Sequence, residues 1–144
     1  MTTYSGSCLC EKIRFQIEAK TPLLFGHCHC RKCRKSHGAD FTSATIVPEE
    51  NLILLEGEDY LATYHSSAAM LRQFCSVCGS RLFVRFSRMT DAGERKLCTV
   101  AINSLDNIET WRETSHIYVD HKAPWVTIDD QLPKASTIFP PKSN

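Results

Sequence analysis

Hydrophobic and polar residues alternate along much of the chain, and this alternation has the period of a β-strand. In segment 12–18 the alternation is strict, so Ile13, Phe15 and Ile17 share one face and the charged residues share the other. The same criteria predict eight further strands, at residues 41–47, 51–56, 60–65, 69–74, 81–86, 97–102, 117–120 and 125–128. The pattern therefore predicts a mainly β protein.

One short helix interrupts the predicted strands. It spans residues 31–37 and ends before Gly38, a residue suited to the left-handed conformation that commonly follows a helix. A chain of 144 residues has the size of one domain. We therefore expect a single domain at residues 1–139, followed by a loose, proline-containing tail at residues 140–144.

Composition and charge narrow the class of protein. Lys and Arg total 17 against 16 Asp and Glu, and the resulting net charge of +1 disfavours a protein that coats nucleic acid. The apolar runs are far shorter than the ~20 residues of a membrane-spanning helix, and the first residues lack the pattern of a secretory signal. We therefore expect a cytoplasmic protein without a membrane segment, whose oligomeric state the sequence leaves open.

Eight cysteines are the strongest chemical signal in the sequence. Seven of them form the patterns C-x-C, C-x-C-x-x-C and C-x-x-C, and reducing conditions keep such thiols available to metal. Thiolates grouped in this way are typical zinc ligands. The cysteines are Cys8, Cys10, Cys28, Cys30, Cys33, Cys75, Cys78 and Cys98.

Two of the three patterns together supply the four thiolates of a closed zinc site. Cys8 and Cys10 are expected to point to the same side of an extended segment, because side chains two residues apart on a strand share a face. Cys75 and Cys78 precede Gly79, which suits a tight metal-binding turn. A tetrahedral set of four cysteines is the structural type of zinc site.

The third pattern, Cys28, Cys30 and Cys33, supplies only three thiolates. Three protein ligands and one open position are typical of a reactive zinc, whereas closure by a neighbouring histidine would make a second structural site. Both alternatives remain open at this point. Cys98 shares a face with Val100 on the predicted strand 97–102 and is expected to be a packed core thiol. The surroundings of the pattern are basic, with His27, His29, Arg31, Lys32, Arg34, Lys35 and His37.

The ordered cysteine motifs resemble those of the glutathione-dependent formaldehyde-activating enzyme family, also called the centromere protein V-like family. The motif residues are S-C-L-C at 7–10, H-C-H-C-R-K-C-R at 27–34, F-C-S-V-C-G-S at 74–80, H-I at 116–117 and Trp125. The resemblance spans nearly the whole chain. In one departure, Glu11 stands where the family commonly has glycine after C-x-C, and the chain is also shorter than the formaldehyde-activating enzymes themselves.

The resemblance implies a mainly β, Mss4-like fold with two zinc ions per chain. It implies a structural zinc on Cys8, Cys10, Cys75 and Cys78, and a catalytic zinc on Cys28, Cys30 and Cys33. The implied activity is that of a carbon–sulfur lyase acting on a small-molecule thiol such as glutathione and on an aldehyde such as formaldehyde, or on their S-hydroxymethyl adduct. The general acid or base is not indicated.

Two other interpretations compete with the lyase. A zinc-stapled β domain can serve as an interaction module without catalysis. The basic run at 31–35 is a candidate site for the carboxylates of glutathione, but it is also compatible with a solvated helix face or a nucleic-acid contact. The near-neutral net charge argues against nucleic acid.

Overall fold

A computed structural model of the chain describes residues 1–107 and 110–138. It confirms the predicted mainly β fold with one short α-helix, α1, at Arg31–His37. Short 3-10 turns lie at Glu49–Asn51, Glu58–Tyr60, Ile102–Ser104 and Val119–His121. The strands in the described ranges are β1 (Thr2–Ser7), β2 (Arg14–Ala19), β3 (Leu23–Cys28), β4 (Thr42–Pro48), β5 (Leu52–Glu56), β6 (Leu61–Ser67), β7 (Met70–Cys75), β8 (Arg81–Thr90), β9 (Gly93–Ala101), β10 (Trp111–Ile117) and β11 (Lys134–Ala135).

The strands form two sheets of unequal size. The smaller sheet is antiparallel, with the order β1-β2-β5. The larger sheet has the order β11-β10-β3-β4-β9-β8-β7-β6. Its pairings are antiparallel except that β10 runs parallel to both β3 and β11. The ends of β3 and β10 therefore lie side by side, although the two strands are far apart in sequence.

The core joins residues from both sheets. Ile13, Phe15 and Ile17 are fully buried, which confirms the face predicted from their alternation. Phe15 of the smaller sheet meets Phe83 of the larger sheet edge to face, with ring centroids 4.8 Å apart. Burial of large apolar side chains stabilises a fold by roughly 1.5–3 kcal/mol each. This shared core fixes the smaller sheet, and with it the end of β1, against the larger one.

Two predicted strands near the end of the chain are wrong. At residues 117–120 strand β10 ends instead, because Tyr118 adopts the left-handed conformation (φ 54°) and a 3-10 turn follows. At residues 125–128 the chain forms no strand, and Trp125 is exposed. The apolar residues of these two segments lie on irregular backbone. There the spacing of apolar residues does not indicate a strand.

The hydrophobic pattern also missed β1, β3 and β10. In β1 the two buried positions are Tyr4 and Gly6, and an added Cβ at Gly6 would lie 2.5 Å from the Phe15 ring, so the buried face carries one large side chain and shows no repeated alternation. Strand β10 has a mostly polar sequence and an exposed first half. Such strands are specified by their neighbours and not by their own alternation.

Helix α1 has the predicted bounds, and Gly38 follows it with φ 62°, as expected of a left-handed cap. The tail at 140–144 lies outside the described residues. In the described ranges, no helix has the length and apolar character needed to cross a membrane.

Candidate metal centres and functional site

The structure brings Cys8, Cys10, Cys75 and Cys78 together, and this set is called the first cluster below. Their sulfur atoms all lie within 4.8 Å of one another. Cys10 Sγ is 3.6 Å from Cys8 Sγ and 3.8 Å from Cys75 Sγ. Four sulfurs around one zinc at a Zn–S distance of ~2.3 Å are separated by ~3.8 Å. The residues present therefore fit a tetrahedral metal ion of this kind.

The Cys8–Cys10 segment is a turn and not the predicted extended strand. Strand β1 ends at Ser7, and Glu11 then adopts φ 60°, which reverses the chain. The Glu11 N–H donates to the Cys8 carbonyl oxygen (3.0 Å), and the Ile13 N–H donates to Cys8 Sγ (3.3 Å). The two sulfurs converge because the turn curls them inward, and a backbone amide supports one of them.

The second half of the first cluster is the predicted tight turn. Gly79 has φ 76°, and its N–H donates to the Cys75 carbonyl oxygen (2.9 Å). The Ser80 hydroxyl lies 3.1 Å from Cys78 Sγ and lowers the pKa of that thiol to about 5. The same hydroxyl oxygen accepts from Leu9 N–H (3.0 Å), so it links the two turns that carry the cysteines.

The sulfurs of Cys28, Cys30 and Cys33 also lie within 4.8 Å of one another, and this set is called the second cluster. Cys28 ends β3, Cys30 caps α1 and Cys33 lies in its first turn. The Cys33 N–H donates to Cys30 Sγ (3.3 Å), so the Cys30 side chain caps the first turn of α1. Within residues 1–107 and 110–138, no histidine nitrogen or carboxylate oxygen belongs to this group. The three thiolates fit a metal ion that takes its fourth ligand from elsewhere.

Without metal, the second cluster favours a shared negative charge. Hydrogen bonds from Cys28 and Cys33 lower the pKa of Cys30, because both thiols stabilise its thiolate. Hydrogen bonding to Cys30, followed in importance by Cys33 and by burial, raises the pKa of Cys28. One thiolate is thus available at neutral pH to take up a cation, and the cation favours loss of the remaining protons.

Three histidines near the second cluster do not contribute the positive charge that the sequence suggested. Burial lowers the pKa of His29 to about 4, and it also lowers the pKa of His27. The pKa of His37 falls to about 4 because of partial burial and of the nearby Arg81 and Arg72. These side chains are therefore neutral at pH 7, and the positive charge comes from arginine and lysine.

A shallow groove of about 340 Å³ lies along the outer side of α1. Arg31, Arg34 and Lys35 line it, together with Asp40 and Trp125. The Trp125 ring is 72% exposed, and its Nε1–H donates to Asp40 Oδ1 (2.8 Å). Three cations against one carboxylate make the groove a candidate site for an anionic small molecule.

A chain of hydrogen bonds runs from the buried His29, beside the second cluster, through the buried His116 to the exposed Asp130. His29 Nε2 lies 2.8 Å from His116 Nδ1, and His116 Nε2 lies 2.7 Å from Asp130 Oδ2. Hydrogen bonding from His116 lowers the pKa of Asp130. Sequence reasoning missed Asp130, because it approaches only through the parallel pairing of β10 with β3.

Tyr118 is a second residue that sequence reasoning missed at this site. It follows β10 in the left-handed conformation, a backbone state that residues other than glycine adopt at a cost of order 1–2 kcal/mol. Burial and the nearby thiolates of the second cluster raise the pKa of its phenol. A neutral Tyr118 hydroxyl is therefore held beside the three cysteines.

The model of the glutathione-dependent formaldehyde-activating enzyme family matches residues 3–121. The chain belongs to this family. Both cysteine clusters and His116 lie inside the match, whereas Trp125 and Asp130 lie beyond it. The family resemblance stated from the motifs is thereby confirmed.

Similar proteins of the family include fungal proteins provisionally named as glutathione-dependent formaldehyde-activating enzymes. One from Aspergillus flavus is 37% identical over 79 residues, which is 54% of this chain and 41% of that protein. One from Podospora anserina is 34% identical over 82 residues, which is 56% of this chain and 38% of that protein. The chain thus matches about two fifths of the length of these relatives.

The fold also occurs in a solved structure. A crystal structure of a Rhodobacter sphaeroides protein superposes with a TM-score of 0.57 at 18% identity, covering 75% of this chain and 99% of that one. At this identity the likeness concerns the fold alone.

Cys98 stands apart from the residues that this family member brings together. It is fully buried on β9 and belongs to neither cluster, and burial raises the pKa of its thiol to about 12. All eight cysteines are free thiols, so no disulfide competes with either cluster.

Proposed function

We propose that this chain is a zinc-dependent carbon–sulfur lyase that acts on a thiol such as glutathione and on a small aldehyde, or on their S-hydroxymethyl adduct. The observation that carries the proposal is the second cluster. It offers three convergent thiolates, and no fourth protein ligand from the described part of the chain joins them. A metal ion bound there can accept a ligand from solution, which a purely structural site does not allow.

The two clusters have different proposed roles, with one zinc ion each. The first cluster supplies four thiolates and is closed, so its zinc stabilises the fold by tying the end of β1 to the turn after β7. The second cluster holds the reactive zinc. Eight free cysteines are suited to a reducing compartment, and this supports the cytoplasm as the proposed location.

In the proposed reaction a carbon–sulfur bond forms between the thiol sulfur and the aldehyde carbon. The thiol proton ends on the former carbonyl oxygen, so glutathione and formaldehyde give S-(hydroxymethyl)glutathione, and the reverse reaction breaks the same bond. A zinc ion with three thiolate ligands is a weak Lewis acid, and the chemistry it supplies is stabilisation of an incoming thiol as its thiolate.

The residues around the second cluster support this assignment of roles. Arg31, Arg34 and Lys35 offer cations to the two carboxylates of glutathione in the groove along α1. Tyr118 keeps its proton because its pKa is raised, so its hydroxyl can donate a hydrogen bond near the cysteines. The neutral histidines leave the thiolates as the main charged groups at the centre of the site.

The proposal is tested by exchange NMR on mixtures of glutathione and formaldehyde, in which the adduct also forms without protein. The zinc-loaded chain should accelerate exchange between free and adduct-bound formaldehyde, and Cys30→Ser should abolish the acceleration. Cys98→Ala is the matched control and should retain it. No acceleration by the zinc-loaded protein would contradict the lyase and favour an interaction module instead.

A further inference from the structure

The most unusual buried group outside the two clusters is the imidazole of His29. It is fully buried and lies between Cys28 and Cys30, and its side chain belongs to neither cluster. Its Nδ1 has no hydrogen-bond partner among the described residues. A buried polar atom without a partner costs about 1–3 kcal/mol, so another interaction must hold this ring in place.

The His29 ring is held by a hydrogen bond to His116, and Asp130 determines which of the two rings donates in that bond. A carboxylate only accepts hydrogen bonds, so the 2.7 Å contact places a proton on His116 Nε2. In a neutral His116 ring, Nδ1 is then an acceptor, and His29 Nε2–H donates to it across 2.8 Å. The carboxylate thereby selects one tautomer for both rings.

Backbone groups hold Asp130 and His116, the far end of this chain of hydrogen bonds, in place. Asp130 Oδ1 accepts from Leu132 N–H (3.0 Å), and His116 N–H donates to the Pro133 carbonyl oxygen (2.9 Å). At the near end, His29 N–H donates to the Ile117 carbonyl oxygen (3.0 Å). The segment that carries two of the three cysteines is therefore tied to β10 through both the backbone and the side chain of His29.

We infer that Asp130 is a positioning residue of the second cluster, acting through His116 and His29 to hold the segment that carries Cys28 and Cys30. This inference rests on the proposed function only in taking the second cluster as a metal site. The side chain of Asp130 forms hydrogen bonds with His116 and with the backbone of Leu132, and neither bond involves one of the three cysteines. Its effect is to limit the freedom of their backbone, so that metal loss becomes slower.

The test is the rate at which the zinc-loaded full chain transfers its metal to a chromophoric chelator. The phase that belongs to the second cluster is the one that Cys30→Ser removes. Asp130→Ala should accelerate that phase about tenfold or more, which is the size of effect seen when supporting hydrogen bonds of metal sites are removed, and should leave the other phase unchanged. Asp130→Asn keeps an acceptor oxygen for His116 and should restore most of the slow rate.

Asp129→Ala is the matched control, because it removes a neighbouring carboxylate outside the chain of hydrogen bonds, and it should leave both phases unchanged. An unchanged second-cluster phase in Asp130→Ala would overturn the inference, and so would equal acceleration of both phases. If Asp130→Ala does not fold, nitrogen NMR of the wild-type rings decides the matter. A protonated His29 Nδ1 or a bare His116 Nε2 would overturn it.

The two proposals fail separately. Lyase activity together with an unchanged release rate in Asp130→Ala would remove only the positioning role. Metal release that depends on Asp130, without any lyase activity, would remove only the proposed reaction.

Discussion

The Sγ atoms of Cys10 and Cys75 lie 3.8 Å apart, although 65 residues separate the two cysteines in the sequence. One belongs to the turn after β1 of the smaller sheet, and the other ends β7 of the larger sheet. A metal ion shared by both would cross-link the two sheets, which share no paired strands among the described residues.

Loss of a ligand from the first cluster should therefore destabilise the fold. Cys75→Ser is expected to lower the melting temperature strongly, because a structural zinc contributes on the order of 10 kcal/mol of apparent binding energy to the folded state. Thermal unfolding followed by circular dichroism measures the effect. Cys98→Ala, at a buried cysteine outside both clusters, is the control and should cost only about 1 kcal/mol. Equal melting of the two variants would contradict the structural role of the first cluster.

Metal content should separate the two clusters. The protein purified without chelator should contain two zinc ions per chain, and Cys30→Ser should contain one while keeping the wild-type fold. The reason is that Cys30 caps a short helix whose own residues are not buried, so the core does not depend on it. Elemental analysis with circular dichroism measures both quantities. A wild-type value of one, or an unfolded Cys30→Ser, would contradict this division.

Glu11 should be a site of backbone strain. Its φ of 60° costs a residue with a Cβ roughly 1–2 kcal/mol more than glycine, and glycine loses part of this gain to entropy. Glu11→Gly is therefore expected to raise the free energy of unfolding by about 0.5–1 kcal/mol in urea denaturation. Glu11→Ala removes the same exposed ion pair with Arg14 (3.5 Å) but keeps the strain, so it should give no increase. Equal effects of the two changes would assign the gain to the charge instead.

The motifs predicted the grouping of the cysteines well, because spacing within each motif is local and the need for four ligands then joins the C-x-C pair with the C-x-x-C pair. Both clusters contain the predicted residues, although Cys8 and Cys10 converge through a turn and not through an extended strand. The position of Glu11 was the available signal, since the family commonly has glycine there and a glycine position often reports positive φ.

The environment of the second cluster was not predictable in the same way. Tyr118 reaches it because β10 runs parallel to β3, with Ile117 opposite Cys28, and Asp130 is linked to it only through His116 of β10. Strand β10 is mostly polar, so its hydrophobic pattern gave no indication of this pairing. The charge of the histidines was misjudged for a related reason, because burial that lowers their pKa depends on tertiary packing.

His37 provides a pH-dependent test of that packing. Its pKa is lowered from 6.5 to about 4 by burial and then by Arg81 and Arg72, so folding favours the neutral ring. The unfolded chain takes up the proton first, and stability should fall as the pH drops from 6.5 toward 4. Proton NMR of the ring should show the low pKa, and Arg81→Met should raise it. Arg85→Met, at an arginine paired with Glu49, is the control and should leave it unchanged. An ordinary His37 pKa in the wild-type protein would contradict this packing of the half-buried ring beside Arg81 and Arg72.

The proposed reaction depends on the second cluster holding a metal ion that can bind a thiol from solution. Calorimetry with glutathione and with S-methyl glutathione tests it most directly, because both ligands carry the same carboxylates but only glutathione can become a thiolate. The zinc-loaded chain should bind glutathione more tightly, and the difference should shrink as the pH falls and disappear in Cys30→Ser. Equal affinity of the wild-type protein for the two ligands, or binding of neither, would contradict the claim.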